Sequence, residues 1–259
     1  NFDDHPGERW EWGPNALWPD PLVLLAGIAV ATSRIRLGTN IFVAPLRPAI
    51  VIAKMCATLD NLSGGRLDLG LGTGWMREEF AAASVPMVGR THRLEDTVAA
   101  CRALWDGGAA TFSSQTVSFE NAWCSPTPVQ PGGPPVFLGG PPTKTVALRI
   151  ASLADGWSPM SKYREGIEEG ITLIRRELEV AGRDPDTLHV RYGAVLPATG
   201  RSEAAARELR ADIKDLQRRG VTHITLYAPA YAASPEAIPA AIAWIAGSLN
   251  IAPMGGRAS

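Results

Sequence analysis

The chain has 259 residues, enough for one β/α barrel or two ordinary domains, and 46% of them are apolar, enough for a sizeable core. Its 25 basic and 26 acidic residues leave a net charge of −1, which removes the electrostatic case for nucleic acid or an anionic membrane as partner. The three cysteines, Cys56, Cys101 and Cys124, lack CxxC spacing, and no apolar run reaches membrane-spanning length; zinc and a disulfide framework are disfavoured, and a reducing cytoplasm is the expected location.

Short apolar strands alternate with amphipathic helices. Arg34–Val43 is predicted as a strand interrupted by Gly38-Thr39-Asn40. A glycine there marks a bulge, a close ligand approach, or an ordinary strand that happens to hold a glycine. Pro48–Leu62 reads as a helix with Ile50, Ile52, Ala53, Met55, Leu59 and Leu62 available to face inward, closed by Gly64–Gly65. Leu67–Leu71 is a buried strand running into a turn with Gly70, Gly72 and Gly74, and Met76–Phe80 favours a helix. Thr91–Trp105 is a helix with Thr91 as N-cap. Thr111–Phe119 is a small hairpin inserted around residues 109–120, and Cys124–Pro135, with five prolines, is a loop. Then follow strand Pro135–Leu138, helix Lys144–Ala154, strand Asp155–Met160, helix Tyr163–Ala181, strand Leu188–Pro197, helix Ser202–Arg219, strand His223–Tyr227 and helix Pro235–Leu249.

These elements make six β/α units in one domain, residues 1–259. Such alternation implies a parallel sheet with right-handed crossovers. An eight-unit barrel takes about 250 residues, and Asn1–Asp4 fits the end of a further strand. The expected fold is therefore α/β, a (β/α)8 TIM barrel lacking its first strand–helix and most of its second strand.

The most informative stretch is Arg66–Phe80, RLDLGLGTGWMREEF. Glycines between a strand and a helix let backbone N–H groups approach a phosphate or a flat cofactor. Gly139-Gly140-Pro141-Pro142-Thr143 has the same placement before a helix, and reads equally as an anion site or a tight turn. Arg90, His92 and Arg93 form a basic cluster that reads as a solvated face; His189 and His223 read as structural. The motif LDLGLGTG also fits a loop for S-adenosylmethionine, but the acidic strand end about 20 residues on that such a methyltransferase needs is missing.

The run RIRLGTNIFVAPLRPAIVIAKMCATLDNLSGGRLDLGLGTGWMREEF, with PTPVQPGGPPVFLGG and ASLADGW later, resembles the luciferase-like monooxygenase superfamily. Within it the likeness is to coenzyme F420-dependent oxidoreductases of actinobacterial type, over residues 3–229. The resemblance implies a barrel of bacterial-luciferase type, with Asp4–His5 ending the second strand. His5 would act as acid or base beside the deazaflavin ring, with Asp4 in the cofactor site. It implies a cis peptide between Asn40 and Ile41, cofactor contacts at Thr39, Asn40, Ile41, Gly72, Thr73 and Gly74, and the cofactor phosphate at Gly139, Gly140 and Thr143. Trp10 and Trp75 would wall the substrate pocket; Glu79 reads as a pocket residue or, at a helix start, as a solvated one. No metal is implied. The family's sugar-phosphate branch has a catalytic Glu where Trp75 stands, which argues against sugar-phosphate oxidation. The implied activity is hydride transfer between reduced F420 and a small organic substrate. FMN-dependent monooxygenation is the alternative, and a cofactor-holding barrel without catalysis a third. The expected partners are a small-molecule substrate and a second copy of the chain.

Overall fold

Alternation of large and small residues decides which face of each strand is covered. The computed structural model describes residues 18–194, 200–227 and 234–251. Strands β1 (Leu37–Gly38) and β2 (Phe42–Val43) flank the interruption at Thr39–Ile41. Strand β3 (Leu67–Gly72) lies beside both. The hairpin is β4 (Ala110–Ser113) with β5 (Ser118–Ala122), antiparallel. Strands β6 (Val136–Leu138), β7 (Gly156–Trp157), β8 (His189–Gly193) and β9 (His223–Thr225) complete a parallel sheet in the order β1, β3, β6, β7, β8, β9.

The outward residues Leu67, Leu69, Leu71, Val136, Leu138, Trp157, Val190 and Tyr192 are buried in one core cluster. Helices cover them: α1 (Pro21–Ala31), α2 (Ala49–Ser63), α3 (Arg77–Ala82), α4 (Arg90–Trp105), α5 (Lys144–Leu153), α6 (Ile167–Val180), α7 (Glu203–Arg218) and α8 (Ile238–Ser248). The inward face is sparse. The ends of β3 face it with Gly70 and Gly72, and side chains from strands that are not neighbours meet across it. Arg191 of β8 donates to the Thr39 carbonyl beyond β1, and Ser158 beyond β7 bonds Asn40 beyond β1. Strands separated by several others can meet in this way only if the sheet curls, so the fold is α/β with a curled parallel sheet. No helix among the described residues is long and apolar enough to cross a membrane.

Several expectations needed correction. Helix α1 was not foreseen. PLVLLAGIAVA is apolar on every side and gives no 3.6-residue rhythm, although Asp20 caps it by accepting from the N–H groups of Leu22 and Val23, and Pro21 opens it. The strand predicted at Arg34–Val43 is two short pairings, because the bulge residues leave the ladder. Ile50 and Leu62 of α2 are 43% and 50% exposed rather than inward, whereas Cys56 is buried. Gly89, not Thr91, caps α4. The expected strand Asp155–Met160 shrinks to two residues, and 3₁₀ turns at Ser161–Gly166 and Pro235–Ala237 precede α6 and α8. Asn1–Asp4 and residues 195–197 lie outside the described residues.

Trp157 shows how the outer shell is fitted. It is fully buried, and its indole Nε1 donates to the Gly140 carbonyl at 3.1 Å. A Cβ on Gly170 of α6 would stand 2.2 Å from Trp157 Cη2. Alanine for glycine inside a helix ordinarily gains about 0.5–1 kcal/mol, but overpacking a rigid aromatic costs about 1–3 kcal/mol. Gly170→Ala is therefore expected to lower stability by about 1–2 kcal/mol on these scales, measured by urea unfolding; a stabilised variant would refute this packing.

Candidate functional site

Register puts the loops after β1, β3, β6 and β7 at one edge. Leu71 lies opposite Phe42 and Leu138, and Leu138 opposite Trp157, all in parallel pairs. Asn40–Ile41, Gly72–Trp75, Gly139–Thr143 and Ser158 therefore share the carboxyl edge of the sheet, the end at which β/α barrels build their sites.

The bulge is held from several sides. Thr39 Oγ1 donates to the Gly70 carbonyl at 2.7 Å, and the Thr39 carbonyl accepts from Arg191 Nη1 at 2.9 Å. The Asn40–Ile41 peptide is cis. A Cβ on Gly72 would fall 1.8 Å from Ile41 Cδ1, so the Ile41 side chain occupies the space that the glycine leaves. Ile41 is still 45% exposed, a large apolar surface facing the edge. Ser158 Oγ lies 3.3 Å from Asn40 Oδ1, and the Ser158 carbonyl 3.3 Å from the Cβ position of Gly139. Gly74 has φ +76°, and its carbonyl accepts from Arg90 Nε at 3.0 Å. Arg90 thus pins the glycine turn, a role that its place in a basic cluster did not reveal. Thr73 is half-buried, and Trp75 and Glu79 are exposed beside it. These glycines and Ile41 form an apolar bed at that edge.

The turn after β6 is more restricted than its sequence suggested. Pro141 and Pro142 have no N–H, and the Thr143 N–H donates to the Pro141 carbonyl at 2.8 Å. Thr143 Oγ1 caps α5 by accepting from the Val146 N–H at 3.4 Å. An anion here would draw on the glycine N–H groups and on those of Lys144 and Thr145, which the first turn of a helix leaves without intrahelical partners. Asp4, His5 and Trp10 lie outside the described residues.

Below the bed, sequence reasoning missed a polar interior. Asp68 is held by Arg36, whose Nε donates to Oδ2 at 2.8 Å and whose Nη2 donates to Oδ1. The Arg191 guanidinium lies 4.0 Å from the Phe137 ring centroid. His189 and His223, expected to be merely scattered, meet edge to face at 5.1 Å and both contact Phe137. Burial, then His189 and Arg191, push the His223 pKa down. His189 and Arg191 at alternate places of HVRYG were the available signal. Burial pushes the Cys56 thiol up to about 12, which makes it unreactive. Among the described residues no group of His, Cys, Asp or Glu could hold a metal ion.

A profile of the luciferase-like monooxygenase family matches residues 6–243. An uncharacterized protein of Mycobacterium tuberculosis is 38% identical over 165 residues, 64% of this chain and 58% of that protein. The alignment thus spans little more than half the length of this curated relative. The crystal structure of a monooxygenase from Streptomyces bottropensis superposes with TM-score 0.63 at 26% identity, covering 89% of this chain and 73% of that one. An F420-dependent secondary alcohol dehydrogenase, in complex with an F420–acetone adduct, superposes with TM-score 0.72 at 17% identity, covering 83% and 80%, a likeness of fold.

The interior yields a pH prediction. Since the folded-state pKa of His223 lies below its ordinary 6.5, the unfolded chain binds the proton more readily. This contribution to stability is complete above pH 6.5 and is lost as pH falls through the folded-state value. Denaturant midpoints should drop between neutral pH and mildly acidic pH, and His223→Gln should flatten that drop; an unchanged slope would remove His223 as its source.

Proposed function

The chain belongs to the luciferase-like monooxygenase family, and on that premise we propose that it is an oxidoreductase that moves hydride between coenzyme F420 and a small organic substrate. The observation that carries this reading is the convergence of Ile41, Gly72 and the Gly139 turn at one edge of the curled sheet, tied together by Asn40 and Ser158. The cofactor supplies the two-electron chemistry when bound, and the protein supplies binding, orientation and proton management. In this reading Asn40, Ile41, Gly72, Thr73 and Gly74 bed the ring, and the glycine N–H groups with the start of α5 hold its phosphate. Trp75 gives the substrate side an apolar wall. The family resemblance adds Asp4 to the cofactor site and makes His5 the proton donor or acceptor, and in this reading the curled sheet forms the larger part of a (β/α)8 barrel. The fold likeness to an F420-dependent dehydrogenase supports the deazaflavin. The likeness at 26% identity to a monooxygenase favours the second reading, FMN-dependent oxygenation on the same bed.

Anaerobic titration with F420 and with FMN, followed by absorbance, tests the reading: tight binding of F420 alone supports hydride transfer, tight binding of FMN alone the second reading, and binding of neither refutes both. Gly72→Ala puts a methyl where Ile41 Cδ1 lies and should raise the dissociation constant about tenfold, roughly 1.4 kcal/mol. Gly27→Ala, whose Cβ meets nothing within 4 Å, is the control and should leave the dissociation constant unchanged. His5→Ala should lower turnover by about 10²–10⁴ with cofactor affinity almost unchanged; unaltered turnover would remove His5 from the chemistry.

A further inference from the structure

Among the described residues, Arg191 is a buried cation with no carboxylate bound to it. It is 9% exposed, its guanidinium lies against Phe137, and its one hydrogen bond among the described residues goes to the Thr39 carbonyl. Two positions without side chains make room for it: Nη1 lies 3.2 Å from the Cβ position of Gly70, and Nη2 3.6 Å from that of Gly38. The acid that faces this interior, Asp68, already has both oxygens on Arg36. His189 and His223 add no negative charge. Among the described residues, Arg191 is thus a buried guanidinium beside a carboxylate already committed to the exposed Arg36, an arrangement that is costly without further compensation.

The charge sits directly below the bed. Thr39, which receives the Arg191 hydrogen bond, immediately precedes Asn40–Ile41. Hydride uptake, two electrons with one proton, adds one negative charge to a flavin or a deazaflavin ring alike. We propose that Arg191 is a positioning residue for the reduced cofactor: it fixes the Thr39–Ile41 bulge from below and supplies the positive charge that the reduced ring, more than the oxidised one, requires. This rests on the functional reading above and extends it to the residue that biases the redox state. Charge placed near the ring is one of the levers by which a protein tunes a bound cofactor.

The test measures dissociation constants for oxidised and dithionite-reduced FMN, and likewise for oxidised and chemically reduced F420, in anaerobic solution. Wild type should bind the reduced form the more tightly. In Arg191→Met, which keeps an unbranched chain against Phe137, that preference should fall about tenfold or more, equivalent to about 30 mV in the potential of a two-electron couple. Arg191→Lys should retain most of it. Asp68→Asn, which removes the partly compensating anion, should shift the preference the opposite way. Equal weakening of both redox forms in Arg191→Met, or an unchanged ratio, overturns the proposal while leaving the cofactor reading intact. If Arg191→Met does not fold, Arg191→Gln, which keeps a polar group for the Thr39 carbonyl but no charge, decides, and an unchanged ratio there overturns it. Failure of wild type to bind either cofactor overturns the functional reading and this inference together.

Discussion

The closeness of the Thr39–Ile41 bulge to strand β3 is the constraint on which the candidate site depends. A Cβ on Gly70 would stand 2.2 Å from the Thr39 carbonyl oxygen, and one on Gly72 1.8 Å from Ile41 Cδ1. Backbone can approach backbone in this way only where β3 presents hydrogen atoms to the interior. With that space open, Thr39 Oγ1 bonds Gly70, Ile41 lies over Gly72, and Arg191 crosses the concavity to the bulge. The glycines that look like a ligand loop in the sequence thus serve first to seat another piece of the protein. Whatever binds at the edge meets Ile41 rather than bare β3.

The loops that complete the edge are held by groups behind them. Asp155 accepts from the Val136 N–H and pairs with Arg102, tying the starts of β6 and β7 to α4. Asp60, fully buried on α2, accepts from the N–H groups of Val129 and Gln130 and so fixes the proline-rich segment before β6. Trp157 bonds the Gly140 carbonyl, and Arg90 the Gly74 carbonyl. These contacts lie on the outer shell or at loop bases, yet they set the positions of the backbone groups that a cofactor would meet.

The polar interior gives the edge a chemical character that its apolar surface does not. Asp68 and Arg191 are buried there, where burial strengthens electrostatic interactions, while Arg36 and His189 reach solvent.

Much of the fold was legible in the sequence. Leu67, Leu69 and Leu71 marked a buried strand, the β/α rhythm marked a parallel sheet, and Gly64 marked a helix end, because strand period and turn chemistry are decided within a few residues. Helix α1 escaped because an all-round apolar segment has no period to read. The resemblance to a family pointed to the Asn40–Ile41 peptide and to the glycine turns after β3 and β6. Only the tertiary structure could show that the Thr143 N–H is used within its own turn, that Arg90 holds Gly74, and that Arg191 reaches Thr39 across 152 residues of sequence. The physical reason is one of range. Which strands neighbour one another is set by burial of the whole sheet, and the partner of an inward side chain is fixed only when the sheet curls and brings distant strands within hydrogen-bonding distance.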